Sequence, residues 1–505
     1  MARPVSAGAG PHPAGRRRLI LLVIAVAQLM VVLDATVVNI ALPSAQRALH
    51  FSDADRQWIA TAYALAFGSL LLAGGKLADL AGRKRIFIIG LAGFAAASTA
   101  GGAATGFPML VTARSLQGAF GALLAPAGLS LLTTTFPRSG ERGIAFGIYG
   151  AVVGSGGAIG LLLGGLLTQY WSWRGCLYVN LVFAALGIVG GLLLLERDRP
   201  EPARLDLAGT LLACSGMLCL VYGCSGATRS WAAPGCWGFL VGGAVLLAGF
   251  ALWQHRTPSP LLPLAVLRDR NRAGSFLAVF TLLVGASGVF LFLTYYLQDT
   301  LGYSPILAGL AFLPMLTCAT ATGLASNLFL LPRTGARPLV TAALLLAAAG
   351  TTWLTRLGPH SGYFPAILGP LIVIGAAMGL AISPSMNTAT FGVPAAEAGV
   401  ASALANASQQ LGSSVGTAVL NSLAVTTSAS YLANANNGGR PTPAVTRLAL
   451  LHGYTAAFWC AAAIITAGAI SCAALFRPGP LTRALAAPLT PTGAGESIAS
   501  DTVRA

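Results

Sequence analysis

Residues 31–43 read VVLDATVVNIALP. They belong to an apolar run from Leu19 to Leu42, and a helix of ~20 apolar residues is long enough to cross a bilayer. Asp34 interrupts that run. A carboxylate in hydrocarbon is costly, so it needs a partner, a water-filled cavity or a proton. Arg16, Arg17 and Arg18 precede the run, as in a secretory leader. The run is too long for a leader's apolar core and holds an acid, so it reads as an uncleaved first span.

Composition sets the class. Only 9% of the 505 residues are charged and 55% are hydrophobic, far from the charge content of a soluble domain. The 62 glycines suit helices that approach one another closely in lipid. The chain therefore reads as an all-α polytopic membrane protein. A net charge of +16 invites a nucleic-acid reading. It is rejected because the basic residues sit in short loops between apolar runs, as membrane topology demands. The eight cysteines fall mostly inside those runs without a CxxC pair, so neither a metal site nor a disulfide is expected.

Fourteen apolar runs lie between 19–42 and 453–476. With the N-terminus placed in the cytoplasm, the cytoplasmic segments hold 22 Lys and Arg and the external loops 7. The positive-inside rule then puts both termini in the cytoplasm. The charged loop ERDRPEPARL at 196–205 separates six spans from eight. The expected organisation is a disordered tail (1–18), a six-helix bundle (19–195), a linker with two extra spans (196–271), a second six-helix bundle (272–476) and a disordered tail (477–505). The external segment 427–452 is expected to be mobile.

Three further motifs stand out. The loop after the second span reads GGKLADLAGRKR (74–85), in which Gly75 permits close approach, Asp79 ends a span, Gly82 permits a sharp turn and Arg83, Lys84 and Arg85 face the cytoplasm. The fourth span reads RSLQGAFGALLAP (114–126), and Arg114 is the one arginine deep in a span. Asp34 lies about 12 Å and Arg114 about 9 Å from the outer surface at 1.5 Å per residue, so the two charges share a level and can pair. The fifth span reads GAVVGSGGAIGLLLGG (150–165). Gly156, Gly160 and Gly164 recur every four residues, as do Gly150, Gly154 and Ala158, giving smooth ridges for close helix contact.

These motifs resemble the major facilitator superfamily, and most of all its fourteen-span drug:H⁺ antiporters. RLDLAGTLL (204–212), YYLQDTLGYSPILAGLAFLP (295–314) and GVASALANASQQLGSSVGTAV (399–419) agree. The resemblance covers nearly all of 19–476. It implies the major facilitator fold and alternating access in a bacterial cell membrane, with no cofactor beyond the proton as coupling ion. By position it implies that Asp34 belongs to the first-span signature and that Gly75, Asp79, Gly82, Arg83 and Arg85 form a cytoplasmic latch. It likewise implies that Arg114, Gln117 and Gly118 belong to a proton-handling motif, and that Gly150, Gly154, Gly160, Gly164 and Gly165 form the antiporter motif. Leu161 stands where that motif usually has proline, and the loop LLPRTGARP keeps Gly335 without an acid.

Asp34 is the one acid deep in a span; Asp79, Asp206, Asp299 and Glu397 lie at span ends. Burial disfavours its charged form and a guanidinium favours it, so movement between states would load and release a proton. A permanent structural ion pair is the alternative. In the thirteenth span Asn406, Gln410, Ser413, Thr417 and Asn421 fall on one helix face, which must meet protein or a water-filled cavity. Helix–helix hydrogen bonding and a substrate cavity both satisfy that. Asn39, Tyr63, Phe67, Tyr295 and Tyr296 are further candidates for the cavity wall.

No phosphate-binding loop is present, since Leu77 follows Gly75-Lys76 where Ser or Thr is required, so ATP is not the direct energy source and no ATPase subunit is expected. The chain is expected to be no enzyme, having neither HExxH nor a nucleophile elbow. The expected function is proton-driven export of lipophilic drugs by a monomer in membrane lipid. A dedicated exporter or importer of one metabolite is the alternative within transport. A non-transporting receptor on the same fold is the alternative outside it.

Overall fold

The computed structural model describes residues 14–136, 139–196, 206–226, 234–257, 260, 268–359, 361–390, 398–435 and 442–479. Among these residues every regular element is helical. The principal helices are α1 (Ala14–Leu49), α2 (Gln57–Ala81), α3 (Arg83–Gly102), α4 (Phe107–Thr135), α5 (Ser139–Tyr170), α6 (Gly175–Leu194), α7 (Leu207–Gly226) and α8 (Pro234–Arg256). They continue with α9 (Arg270–Tyr295), α10 (Pro305–Ala311), α11 (Leu313–Ala325), α12 (Ala336–Leu354), α13 (Leu368–Thr390), α14 (Ala398–Ala435) and α15 (Pro443–Leu475). Against the fourteen spans expected, ten described helices meet the length and apolarity needed to cross a membrane, and Gln57–Leu71 and Leu207–Gly223 are shorter apolar stretches.

Local chemistry explains the boundaries. Gly82 joins α2 to α3 at φ 90°, a left-handed conformation costly for any residue with a Cβ. Gly335 repeats this before α12 at φ 79°. Asp269 caps α9 by accepting from the backbone N–H groups of Asn271 and Arg272, both at 3.0 Å. A π-helical turn, Tyr296–Thr300, ends α9.

Several helices outrun their apolar cores. Residues 14–18, expected to be disordered, open α1, and Arg16 donates to Leu194 O on α6 at 3.1 Å. Residues 427–435 and 443–452, expected to be mobile, are the ends of α14 and α15. Ala-rich and Ser/Thr-rich segments stay helical there because the flanking helix is already nucleated. Residues 1–13, 197–205, 436–441 and 480–505 lie outside the described residues.

Helices α1–α6 pack on one another, as do α9–α15. The two groups meet along two seams, α2 against α14 and α5 against α10. Leu186, Val189 and Leu193 of α6, Leu324 of α11 and Leu328 just beyond it are exposed, a large apolar surface that lipid would cover.

Candidate functional site: a buried carboxylate network

Asp34 lies at the meeting point of α1, α3, α4 and α6. Its Oδ2 accepts from Arg114 Nη1 at 2.5 Å. Its Oδ1 accepts from Gln117 Nε2 at 2.8 Å and from Asn180 Nδ2 at 2.7 Å. Arg114 also donates to Gln117 Oε1 at 2.9 Å and, through Nε, to Ile59 O at 3.1 Å. Ser98 Oγ accepts from Gln117 Nε2 at 2.8 Å and Asn180 Nδ2 at 3.3 Å. All five polar side chains are buried, with Asp34 0% and Arg114 1% exposed. In so dry a place the pair needs nearly every lone pair and donor engaged to offset desolvation.

Helix periodicity builds the network. Arg114 and Gln117 are one turn apart on α4, which turns both toward α1. The Arg114 guanidinium lies over the Tyr63 ring of α2, 4.6 Å from its centroid, an added stabilisation of a desolvated cation. Tyr63 stacks on Phe67 at 5.8 Å. The Tyr63 hydroxyl and Asn180 Oδ1 are buried without a hydrogen-bond partner. Beyond Arg114 a cavity of about 10 Å³ is lined by Val38, Ile59, Leu110 and Trp173, the size of a single water site.

Ser98 and Asn180 were not expected from the sequence. Neither carries charge, and small polar residues are common in spans, so only the three-dimensional meeting of α3 and α6 with Asp34 marks them out.

The remaining candidates fall elsewhere. Gly118 packs on α2, where a Cβ would lie 2.3 Å from Tyr63 O. Gly160 and Gly164 of α5 face α1, and a Cβ on Gly164 would lie 2.9 Å from Val37 O. Gly165 faces the other way, 2.6 Å from Ile306 Cα of α10 by the same construction. Gly150 and Gly154 lie on α5, nearer its start. Leu161 is buried within an unbroken α5, so the absent proline leaves this helix continuous.

Of the loop motif, Gly75 lies near Pro126 of α4 and Arg83 opens α3 with Arg85 exposed two residues on. The side chain of Asp79 lies outside the described residues. Lys84 donates to Leu192 O at 3.0 Å and to Leu195 O, closing the C-terminal end of α6.

The expected cavity wall is not one surface. Asn39 donates weakly along its own helix, to Ala35 O at 3.4 Å. Asn406 is exposed, Gln410 and Ser413 are half-buried and Thr417 is buried. Gln410 sits against Gly68 of α2. Tyr296 donates to Gly358 O at 2.7 Å. Tyr295 and Asn421 instead join the two groups of helices at the end that carries the 50–56 loop.

At that end Arg56 Nε donates to Asn421 Oδ1 at 2.8 Å, Asn421 Nδ2 donates to Asp53 O at 3.1 Å and Gln298 Nε2 donates to Ile40 O at 3.0 Å. Tyr295 donates to Gln46. Arg56 is 2% exposed, its guanidinium 4.4 Å from the Tyr295 ring centroid. A cavity of about 180 Å³ beside it is lined by Gln46, Asp53, Asp299 and Tyr454 among others. These bonds shut this end of the molecule between its halves.

Comparison with known proteins bears on the family and the fold. The sequence pattern of the Major Facilitator Superfamily matches residues 24–417. The chain is 49% identical over 474 residues to the puromycin resistance protein of Streptomyces alboniger, covering 93% of each. It is 39% identical to the cephamycin export protein of Amycolatopsis lactamdurans, covering 78% of this chain and 82% of that one. A bacterial homologue of the human lysosomal transporter Spinster, solved facing inward and occupied, superposes with a TM-score of 0.64 at 16% identity, covering 93% of this chain and 98% of that one. With an all-helical fold, membrane-length apolar helices and relatives of this kind along nearly its full length, the chain belongs to the major facilitator superfamily of membrane transporters.

Proposed function

We propose that the protein exports a lipophilic antibiotic across the bacterial cell membrane by exchange for protons. The observation that carries this reading is the Asp34 carboxylate, buried at a point where four helices meet and held by three neutral or cationic donors. Its relatives include a puromycin resistance protein and a cephamycin export protein, which favours a drug over another cargo.

The excess of basic residues in the loops at the Gly82 end supports a cytoplasmic position for that end and an external one for the 50–56 loop. Fourteen spans then cross the membrane, in two six-helix bundles (19–195 and 272–476) and an extra pair within 196–271. The closed 50–56 end makes the present state one that is shut to the outside. The protein works as a monomer in lipid, without ATP or a bound cofactor, and is no enzyme.

The chemistry follows from the acceptor count. As a carboxylate, Asp34 accepts from Arg114, Gln117 and Asn180. Once protonated it must donate, and Asn180 Oδ1 and the Tyr63 hydroxyl are buried acceptors without a partner. A turn of the Asn180 amide presents its oxygen to the acid. Protonation also removes the charge that holds Arg114, freeing α4 to shift against α1. A proton loaded from outside and released inside would thus alternate the two states, and export draws on that cycle.

The test is a growth-inhibition panel in a pump-deficient bacterium. Intact protein and Asp34→Asn, at matched membrane levels, are challenged with puromycin, lipophilic cations and dyes. Resistance from the intact protein that Asp34→Asn loses is the expected result. No resistance to any compound would overturn the drug reading.

A further inference from the structure

Two arginines are buried in the first half, and they are held differently. Arg114 is well satisfied: Asp34, Gln117 and Ile59 O accept from it, and the Tyr63 ring lies against it. Arg56 has its carboxylate farther off, with Asp53 Oδ1 3.8 Å from Nη1 and half exposed. It crosses to the second half through Nε, which donates to the neutral Asn421 Oδ1 at 2.8 Å. The Tyr295 and Phe292 rings lie 4.4 and 5.7 Å from its guanidinium. At the same end Gln298 Oε1 is buried without a hydrogen-bond partner. Opening would hydrate both groups, so the shut end is held against a desolvation cost. A bond of this kind can switch, and something must keep it made.

The two arginines are joined through the first turn of α2. Arg114 Nε donates to Ile59 O at 3.1 Å, and Ile59 N–H donates to Arg56 O at 3.3 Å. Helix α2 is bound to α4 along its length, because a Cβ on Gly118 would collide with Tyr63 O and one on Gly74 with Ala122 O. Helix α1, which carries Asp34, packs mainly on α5 and α6 and hardly on α2. Within the membrane α1 therefore holds the first turn of α2 through Asp34 and Arg114. Tyr63 of α2 and Cys176 of α6 are the other titratable groups beside Arg114, and neither side chain is ordinarily charged at neutral pH. Around Arg56 the ionisable groups are Asp53, Tyr295, Tyr454, Asp299 and Arg47.

We propose that Arg114 transmits the charge of Asp34, through Ile59, to an outer latch formed by Arg56 and Asn421. While Asp34 is ionised and the transport site is empty, the first turn of α2 is fixed and the 50–56 end stays shut. Neutralising Asp34 frees Arg114, lets that turn shift and releases the latch. An exchanger needs such a lock, since a carrier that changed state empty would return protons without moving cargo. The need for a lock rests on the export reading; the coupling of Asp34 to the latch does not.

Alkylation of Leu450→Cys, a position lining the cavity at that end, reads opening without any cargo in a full-length chain stripped of its native cysteines. Asp34→Asn should speed it at least ~tenfold, about 1.4 kcal/mol in the balance between shut and open. Arg114→Lys keeps a charge opposite Asp34, but one compact ammonium cannot also keep the Ile59 contact, so it should speed alkylation by at least ~tenfold too. Asn421→Asp gives Arg56 a charged partner and, added to Asp34→Asn, should return the rate to within ~twofold of the intact one. The uncharged pair Asp34→Asn with Arg114→Gln takes the place of Asp34→Asn where the single variant does not reach the membrane. A smaller rise in Asp34→Asn or Arg114→Lys, or a double variant with Asn421→Asp that falls short of that return, overturns the proposal. Puromycin resistance of the strain with Asp34 intact reports the cargo separately, so its absence would sink the export reading and leave the coupling standing.

Discussion

Arg114 Nη1 lies 2.5 Å from Asp34 Oδ2, while the amides of Gln117 and Asn180 hold the other carboxylate oxygen at 2.8 and 2.7 Å. Three donors from two helices thus converge on one acid of a third. The arrangement joins α1, α4 and α6 through one carboxylate, the group on which the proposed proton cycle turns.

Removing Arg114 should be harsher than neutralising the pair. Arg114→Ala strands a buried carboxylate and should cost about 3–5 kcal/mol. The uncharged pair Asp34→Asn with Arg114→Gln should recover most of that stability without recovering export. Thermal unfolding in detergent, beside a resistance assay, checks both halves of the expectation.

Asn180→Ala should lower export although Asn180 carries no charge. It removes one donor to Asp34 and the acceptor proposed for its protonated form, a loss of about 1–3 kcal/mol for a buried group left unsatisfied. If the amide switches with the proton, Asn180→Ala should shift the pH dependence of transport, whereas Ser98→Ala, which deletes an acceptor beside the acid, should lower activity with the profile in place. Transport measured across pH distinguishes the two.

The two glycine faces of α5 should respond differently to one methyl group. Gly165→Ala drives a Cβ to 2.6 Å from the Ile306 backbone in the other half, so it should hinder closure and raise labelling at the 50–56 end. Gly160→Ala meets first the Thr36 hydroxyl oxygen, which can rotate away, and should leave labelling near normal. Maleimide reactivity of Leu450→Cys, a position lining the cavity at that end, is the readout in each background.

Asp206 supplies a pH signature for the extra hairpin. Burial opposes its charge, but donors from Gly209, Trp253 and Gln254 and the nearby Lys76 outweigh that and hold its carboxyl below the usual range. A depressed folded value contributes stability in full above the unfolded value near ~3.9, and loses it as pH falls through the folded one. Hairpin stability should therefore be flat from neutral pH to about 4 and fall below it. In Asp206→Asn that acid loss should vanish, with Trp253 fluorescence during unfolding as the measure.

Much of this was legible in residues alone. Long apolar runs left helices as the only way to satisfy backbone groups, and an acid and an arginine within them at one depth announced their own pairing. The loop glycines were legible for a similar reason, since Gly82 and Gly335 both adopt left-handed conformations. What stayed hidden depends on contact between distant elements. Ser98 and Asn180 look like ordinary small polar residues until α3 and α6 meet Asp34. Tyr295 and Asn421 continue patterns that read as a cavity wall, yet they close an end, because Arg56 reaches them from a loop whose position no periodicity encodes. The glycine ridges of α5 gave a repeat without revealing which face met α1 and which met α10.

The most direct test of the central claim is proton movement in proteoliposomes. Purified protein is reconstituted with a pH-sensitive dye in the lumen, and a puromycin gradient is imposed across the membrane. The intact protein should move protons against the drug gradient, and Asp34→Asn should bind puromycin while moving none. Proton exchange that persists undiminished in Asp34→Asn would contradict the account and leave the Asp34–Arg114 pair as a structural element alone.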